Sequence, residues 1–240
     1  MKRLSAKEKA RIERVLAILK ATYPQAVTEL HYSNDFELLV AVMLSAQTTD
    51  KRVNMVTPGL FERYPTPEAM AAASSEDVFP LISSVNFAPT KALNVVATAR
   101  LLVEQHGGKV PGTMEELVAL PGVGRKTANV VLSTAFDVPA IAVDTHVFRV
   151  SHRLGFSKGL TPEAVEADLM RIIPREDWAK AHHWLILHGR YTCVARSPKC
   201  EICPLTADCP AFQTGKFDTP SAAGKPSRPR PRRAPAAPKA

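Results

Sequence analysis

From residue 120 the chain reads Leu120-Pro121-Gly122-Val123-Gly124-Arg125-Lys126-Thr127-Ala128. A proline and two glycines at alternate positions predict a tight hairpin, which Leu120 and Val123 can anchor to an apolar core. Helical periodicity resumes at Arg125, so a helix is expected to begin where the glycines end. Backbone N–H groups at such a helix N-terminus can approach a phosphate closely. The segment therefore predicts either a phosphate cradle that binds DNA without reading its sequence or an ordinary corner between two helices.

Helical periodicity also dominates the sequence on both sides of this hairpin, and few stretches alternate as strands do. Residues that favour helix N-caps precede most of the apolar runs, some with an acid three residues later. A last strong helix, about Asp177–Leu187, leads into a cysteine-rich region. The fold class is therefore predicted to be all-α, with helix starts marked by Ser5 and Glu8, Asn34 or Asp35, Pro89-Thr90, Thr113 and Glu116, and Thr161-Pro162.

The composition is that of a protein with a sizeable core and no membrane segment. Hydrophobic residues make up 45% of the chain, but no run of about 18 apolar residues is present to span a bilayer. The N-terminus from Met1 to Glu8 is basic and lacks the apolar segment that a signal peptide has. We therefore expect the reducing environment of the cytoplasm.

The net charge of +8 is unevenly distributed along the chain. Residues 221–240 hold six lysines and arginines and no acid, so residues 1–220 carry only +2. From residue 214 onward the sequence lacks apolar periodicity, which predicts a disordered basic tail over residues 214–240. Such a tail either keeps a protein soluble or tethers it to DNA through phosphate contacts. Any DNA-binding surface on the rest of the chain must be local.

All four cysteines lie within 17 residues, at Cys193, Cys200, Cys203 and Cys209. Four thiolates this close can share one centre, either tetrahedral zinc or an iron–sulfur cluster. Disulfides are disfavoured because disulfide frameworks belong to short secreted chains. Only Cys200 and Cys203 form the short knuckle that zinc ribbons use twice, and the spacing also differs from the common bacterial ferredoxin run. Spacing alone leans slightly toward a cluster and leaves zinc open.

Three motifs occur in a defined order along the chain. Leu120–Ala128 is followed by Val143-Asp144-Thr145-His146-Val147-Phe148-Arg149, and His182-His183-Trp184-Leu185-Ile186-Leu187-His188-Gly189-Arg190-Tyr191-Thr192-Cys193 then enters the cysteine pattern. Over about residues 1–213 this arrangement resembles the endonuclease III family, which are helix-hairpin-helix DNA glycosylases and abasic-site lyases with a [4Fe–4S] cluster. The resemblance implies that cluster as the cofactor.

The resemblance implies catalytic roles for two residues. Lys126 matches the nucleophilic lysine of the family, and Asp144 matches its essential aspartate. An amine is the required group because attack at the sugar C1′ must yield an imine, which permits β-elimination of the 3′ phosphate. A carboxylate can take up the proton or stabilise positive charge on the sugar, although Asp144 also suits a helix N-cap. The implied cluster ligands are Cys193, Cys200, Cys203 and Cys209.

Other matched positions imply contacts with DNA. The hairpin contributes Gly122, Gly124 and Arg125. The loop between the first two cysteines contributes Arg196 and Lys199, which a rigid metal centre would present as a basic surface.

Two further residues are implied to enter the duplex. Gln47 matches the glutamine that fills the space left by the extruded base. Phe87 stands in Asn86-Phe87-Ala88-Pro89-Thr90, where the family commonly has a leucine followed by tyrosine and asparagine. Aromatic side chains also insert between bases, so Phe87 is the predicted wedge. This departure leaves the opposite-base preference and substrate breadth unassigned.

The resemblance implies a two-domain enzyme. Residues 28–138 would form a helical barrel domain that contains the hairpin, and residues 1–27 and 139–213 the iron–sulfur cluster domain. The implied function is removal of oxidised pyrimidines from duplex DNA, followed by cleavage of the abasic strand by β-elimination through a lysine Schiff base. The implied partner is double-stranded DNA with damaged pyrimidines or abasic sites, bound by a monomer in the cytoplasm, at the nucleoid.

Two other functions are alternatives to this one. The related adenine glycosylase shares the hairpin, the aspartate and the cluster but lacks the lysine, so Lys126 argues against it. A non-catalytic DNA-binding or electron-transfer module built around the cluster is the second alternative. Among the histidines, His146 is expected to line the cleft, whereas His182, His183 and His188 are expected to be structural residues of a mostly buried helix.

Overall fold

The computed structural model describes residues 4–220. Within that range the chain forms twelve α-helices and three short 3₁₀ helices and contains no β-strand, which confirms the prediction of an all-α fold. The α-helices are α1 (Ala6–Thr22), α2 (Asp35–Ser45), α3 (Asp50–Arg63), α4 (Pro67–Ala71), α5 (Ser75–Ile82), α6 (Ala88–His106), α7 (Met114–Ala119), α8 (Arg125–Ala135), α9 (Thr145–Arg153), α10 (Pro162–Ile172), α11 (Trp178–Tyr191) and α12 (Pro210–Thr214).

Most helix starts lie where the cap residues predict them. The side chains of Ser5, Asn34 and Thr113 each accept a hydrogen bond from a backbone N–H in the first turn of the helix that follows. Such caps satisfy donors that have no partner inside the helix. Helix α6 begins at Ala88, so Pro89 and Thr90, which were expected to precede the helix, lie in its first turn. Pro89 is tolerated there because first-turn N–H groups need no intrahelical acceptor. Helix α11 extends four residues beyond the predicted end at Leu187.

The buried apolar residues form two clusters that lie in different parts of the sequence. The first cluster is centred on α2, in which every residue from Leu38 to Leu44 is buried, and α3 to α8 surround it. The second cluster is formed by α1 together with α9, α10 and α11. The chain therefore starts in the second cluster, builds the first, and returns. The proposed domain boundaries, 28–138 against 1–27 and 139–213, stay a prediction.

Two sets of polar contacts connect the clusters. Arg125 at the start of α8 pairs with Glu166 on α10, with Nη2 2.8 Å from Oε1. Arg190 near the end of α11 pairs with Asp50 at the start of α3, with Nη2 2.7 Å from Oδ2. Both arginines cross the gap between the two clusters, so the side chains beside that gap are held in place from both sides.

The C-terminal part of the described chain includes the start of the predicted tail. Thr214 closes α12, and the carbonyl of Phe217 accepts a hydrogen bond from Arg153 Nε at 3.1 Å. These contacts involve the first residues of the predicted tail, and its extent over residues 214–240 stays a prediction. Residues 221–240, which carry the basic charge, lie outside the described residues. None of the helices in residues 4–220 has the length and apolarity to cross a bilayer.

Candidate active site

The Leu120–Gly124 segment forms the predicted hairpin between α7 and α8. The N–H of Val123 donates to the carbonyl of Leu120 at 3.1 Å, and both side chains are buried. Gly122 has φ +77°, and a Cβ at this position would lie 2.7 Å from the side-chain amide of Asn94. The hairpin therefore needs glycine at residue 122 for both its backbone conformation and its packing.

The two hairpin glycines should respond differently to substitution. Gly122→Ala is expected to lower the free energy of unfolding by about 1–3 kcal/mol, since alanine is strained at positive φ and collides with Asn94. Gly124→Ala is the matched control, because Gly124 has φ −93° and a Cβ there meets nothing within 4 Å. Because Gly124 is a helix N-cap, where alanine is less favourable than glycine, this substitution should cost about 0.5–1 kcal/mol, less than Gly122→Ala. Urea unfolding of both variants measures the difference, and equal losses would contradict this account of the hairpin.

The start of α8 leaves donors available to a ligand. Gly124 is its N-cap residue and supplies no side-chain cap, so the first N–H groups of the helix are not satisfied by a capping side chain. Arg125 directs its guanidinium to Glu166, and this hydrogen bond raises the pKa of Arg125. Glu166 is buried while the Arg125 side chain remains more than half exposed. A phosphate at this helix end would share Arg125 with Glu166.

Lys126 and Asp144 line the same pocket, which lies between the two hydrophobic clusters. The pocket is open to solvent and contains about 540 Å³ of space outside the protein atoms, part of which is open solvent. Lys126 extends from the first turn of α8, and Asp144 stands directly before α9. The hairpin thus places an amine, and the next helix a carboxylate, at one opening.

Asp144 is the N-cap of α9, and its carboxylate oxygens differ in their contacts. Oδ1 accepts hydrogen bonds from the N–H groups of His146 and Val147, both at 2.8 Å. Oδ2 accepts none from the residues that the structure describes. Asp144 is therefore fixed by one oxygen, which leaves the other available to the pocket.

The histidines of α11 take part in the pocket lining, which the sequence patterns did not predict. His182 and His183 both line the pocket. Burial lowers the pKa of His182 to about 3 and that of His183 to about 4, so both rings are neutral at pH 7. His182 and His188 are fully buried, as expected of structural residues. His146, which is expected to line the cleft, has Nδ1 3.3 Å from Arg149 Nη2.

Three charged residues on another side of the pocket also escaped the sequence patterns. Arg190 lies between Glu29 and Asp50 and pairs with both carboxylates, and all three residues line the pocket. The hydroxyl of Tyr191 donates to Glu29 Oε1 at 2.5 Å. No sequence signal joins these residues, because Glu29 and Arg190 are 161 positions apart. They provide this pocket wall with both donors and acceptors.

The four cysteines lie around one cavity in the second hydrophobic cluster. The cavity contains about 350 Å³ of space outside the protein atoms and is also lined by Arg153 and His188. Among residues 4–220 no three potential ligands converge as tightly as a single metal ion would require. Four thiols around one cavity are a donor set that an iron–sulfur cluster accepts.

Two arginines hold the backbone of the loop that follows Cys193. Arg153 donates to the carbonyls of Val194 and Ala195, each at 2.8 Å, and Arg149 Nε donates to the carbonyl of Cys193 at 3.0 Å. The N–H of Lys199 donates back to the carbonyl of Thr192 at 2.9 Å, which closes the loop. Arg196 and Lys199 are exposed on it. The backbone of this loop is thus fixed while its basic side chains face solvent.

Family models match both parts of this arrangement. A model described as "HhH-GPD superfamily base excision DNA repair protein" matches residues 40–175, and a model described as "Iron-sulfur binding domain of endonuclease III" matches residues 193–209. The chain belongs to the endonuclease III family. As a member of that family it is a DNA glycosylase and abasic-site lyase of base excision repair.

Individual relatives are similar over most of the chain. Endonuclease III of Escherichia coli strain K12 is 50% identical over 81% of this chain and 92% of its own length. Endonuclease III of Rickettsia conorii is 48% identical over 82% of this chain and 94% of its own length. A solved structure of a trapped endonuclease III–DNA covalent intermediate is 46% identical, covers 89% of this chain and 99% of its own, and superimposes with a TM-score of 0.83.

Family membership decides between the two metals that the cysteine spacing left open. The match over residues 193–209 spans all four cysteines, and the cofactor is the [4Fe–4S] cluster of the family. Cys193, Cys200, Cys203 and Cys209 would hold it in the cavity that they share. A cluster bound by four thiolates has its protein ligands complete.

The predicted wedge residues lie in two neighbouring loops of the first hydrophobic cluster. Gln47 lies between α2 and α3, and Phe87 lies between α5 and α6. Both are exposed, and both have positive φ, 56° for Gln47 and 60° for Phe87. The N–H of Asn86 donates to Thr48 Oγ1 at 3.1 Å, so the two loops contact each other.

Proposed function

We propose that this enzyme removes oxidised pyrimidines from duplex DNA and then cleaves the abasic strand by β-elimination through a Schiff base on Lys126. The observation that carries the proposal is that Lys126 and Asp144 line one pocket beside the hairpin. A relative that is 46% identical was captured as a covalent endonuclease III–DNA intermediate, which supports a covalent step in this chain.

Lys126 is the proposed nucleophile. Its neutral amine attacks C1′ of the sugar, the bond from C1′ to the base breaks, and the base leaves with the bonding electrons and gains a proton. Opening of the sugar ring then yields an iminium between Lys126 and C1′. Loss of a proton from C2′ sends electrons toward the iminium and expels the 3′ phosphate, which is the β-elimination. Water finally hydrolyses the imine and releases Lys126.

Asp144 is the proposed electrostatic and proton-transfer partner. Its Oδ2 faces no competing donor among the described residues, whereas Oδ1 is held by two backbone N–H groups of α9. A carboxylate held in this way can stabilise positive charge as the C1′–base bond breaks, or accept the proton that Lys126 loses. Because it is already positioned, it needs no reorganisation during the reaction.

The pocket walls supply polar groups for the extruded base. Oxidised pyrimidines present carbonyl acceptors together with N–H and, when the ring is hydroxylated, O–H donors. Arg190 can donate to the carbonyls, while Glu29 and Asp50 can accept from the donors. The neutral rings of His182 and His183 complete the lining beside Lys126 and Asp144. Mixed donors and acceptors suit a damaged base better than a hydrocarbon pocket would.

The same proposal assigns the surface contacts with DNA. The N–H groups at the start of α8, next to Gly122 and Gly124, would bind a phosphate on one side of the lesion. Arg196 and Lys199 would bind phosphates from the cysteine loop, and Arg125 would contribute while paired with Glu166. Gln47 and Phe87 would enter the duplex. The monomeric state and the cytoplasmic, nucleoid-associated location stay predictions of the sequence.

Borohydride trapping tests the proposal directly. The protein is incubated with duplex DNA that carries thymine glycol, an oxidised pyrimidine, and then reduced with sodium borohydride. We expect a stable protein–DNA adduct and, without reductant, a strand cut by β-elimination. Undamaged duplex of the same sequence is the control and should give neither product. Base release without an adduct would overturn the Schiff base, and absence of base release would overturn the assignment of oxidised pyrimidines.

A further inference from the structure

The two proposed wedge residues are held in an unusual backbone conformation. Among residues 4–220 the non-glycine residues with positive φ are Gln47, Phe87 and Asp137, so two of the three are the residues assigned to the duplex. A non-glycine residue in this region costs about 1–3 kcal/mol and persists only where its surroundings impose it. Other contacts must therefore hold the loops formed by residues 45–49 and 83–87, here named the wedge loops.

Hydrogen bonds from Asn86 join the wedge loops directly. Its N–H donates to Thr48 Oγ1 at 3.1 Å, and its side-chain amide donates to the carbonyl of Gln47. Asn86 is exposed, and hydrogen bonds between exposed groups compete with water and contribute modestly. These bonds join the two loops to each other. Surface contacts of this kind do not by themselves fix the loops to the core.

Lys91, in the first turn of α6, makes the buried contacts that connect these loops to the core. Lys91 is only 7% exposed. Its Nζ donates to the carbonyls of Leu44 and Ala46, each at 2.7 Å, and to Thr48 Oγ1 at 3.1 Å. All three protons of the ammonium are therefore used. The acceptors are the last turn of α2 and the residues on either side of Gln47, where the negative end of the helix dipole favours a cation.

Lys91 is also connected to the other wedge loop through its own helix. Its N–H donates to the carbonyl of Phe87 at 3.0 Å, so one residue contacts the backbone around both wedge residues. No carboxylate among the described residues lies within ion-pair distance of its ammonium. Desolvation lowers the pKa of Lys91 to about 8. A residue needed only for core packing could be apolar here at lower cost.

We propose that Lys91 is a positioning residue that holds Gln47 and Phe87 as a single preformed wedge. The inference rests on the proposed function, in which these two residues enter the duplex as the base is extruded. A wedge that is ordered before DNA binds avoids the entropy cost of ordering two loops in the complex. Lys91 does not touch the reacting atoms, and it acts through the backbone of residues 44–48 and 87.

This role predicts a difference between two substrates. A paired oxidised pyrimidine must be extruded, so its excision depends on the wedge. An abasic site has no base to extrude, and its cleavage depends mainly on Lys126. Loss of Lys91 should therefore slow excision far more than cleavage, whereas a general loss of folded protein would slow both equally.

Lys91→Met tests this difference, because methionine keeps an unbranched stem and removes all three donors. We expect the kcat/KM for excision of a paired thymine glycol to fall about 10–100-fold, as for a displacement of about 1 Å in a positioned group. Cleavage of an abasic duplex should change less than about threefold. Lys109→Met is the matched control. It makes the same substitution at an exposed lysine between α6 and α7 and should alter neither rate. Equal losses on both substrates, or no loss on either, would overturn the inference.

A second variant and a second readout cover the case in which Lys91→Met does not fold. Asn86→Ala removes only the exposed bonds between the wedge loops and should give the same pattern with a smaller excision defect. The fluorescence of 2-aminopurine placed opposite the lesion reports insertion without any chemistry and should rise more slowly in both variants. If the 2-aminopurine fluorescence rises with the wild-type protein and neither variant slows that rise, the proposed role of Lys91 is overturned. A wild-type protein with insertion but without excision would instead overturn the proposed substrate.

Discussion

Lys126→Gln is expected to abolish the covalent adduct with DNA and to lower abasic-strand cleavage by about 10³-fold or more. Glutamine removes the only atom proposed to bond to C1′, so no imine can form and the β-elimination has no electron sink. Lys126 lies in the first turn of α8, where glutamine is about as favourable for helix formation as lysine. The free energy of unfolding should change by less than about 0.5 kcal/mol. Borohydride trapping with an abasic duplex gives the readout.

Binding measurements separate chemistry from recognition in this experiment. Phosphate contacts from the start of α8 and from the cysteine loop remain in Lys126→Gln, so affinity for a duplex with an uncleavable abasic analogue should stay within about threefold. Lys180→Gln offers a control at another lysine, which lies on α11 outside the pocket lining. An undiminished adduct in Lys126→Gln would mean that another amine is the nucleophile, and the assignment of Lys126 would be abandoned.

Asp144→Asn is expected to lower excision of an oxidised pyrimidine by about 10²–10³-fold while the fold is retained. Asparagine caps helices as well as aspartate does, and its side-chain oxygen can accept the two bonds from α9 that Oδ1 now accepts. What disappears is the negative charge that faces the pocket, and single electrostatic contributions of this kind have about that value. Single-turnover base release by the variant provides the measurement.

Asp144→Ala isolates the capping contribution from the charge. Alanine removes both the charge and the N-cap, so it should lose about 1 kcal/mol of stability beyond the loss in Asp144→Asn. Excision by the two variants should nevertheless be similarly slow, since neither carries the carboxylate. If Asp144→Asn excises at the parent rate while Asp144→Ala is unstable, Asp144 is a cap alone and its catalytic role is refuted.

The local structure of this protein could be read from short sequence patterns. Ser5, Asn34 and Thr113 start helices because a capping oxygen satisfies N–H groups only two or three residues away. Gly122 defines the hairpin because the requirement for a positive φ belongs to the residue itself. The cysteine window indicated one shared metal centre because its ligands are neighbours along the chain. Family resemblance, and not spacing, distinguished iron from zinc at that centre.

The tertiary structure decided which distant groups meet. It placed Lys126 and Asp144 in one pocket, set Arg190 between Glu29 and Asp50, and gave the neutral His182 a place in the lining. No pattern joins these residues, because each contact depends on the packing of helices that are far apart in sequence.

Arg125 and Lys91 show the same difference between what local sequence patterns indicate and what tertiary packing decides. The sequence marked Arg125 as a phosphate ligand, and only the fold revealed Glu166 as its partner. No sequence pattern assigned a role to Lys91, because buried carbonyls become its acceptors only when α6 packs against the end of α2. The sequence by itself therefore determined the helices, the hairpin and the grouping of the four cysteines, since those depend on residues close along the chain. The pocket and the support of the wedge loops were decided by tertiary packing, since their energies come from groups that folding alone brings together.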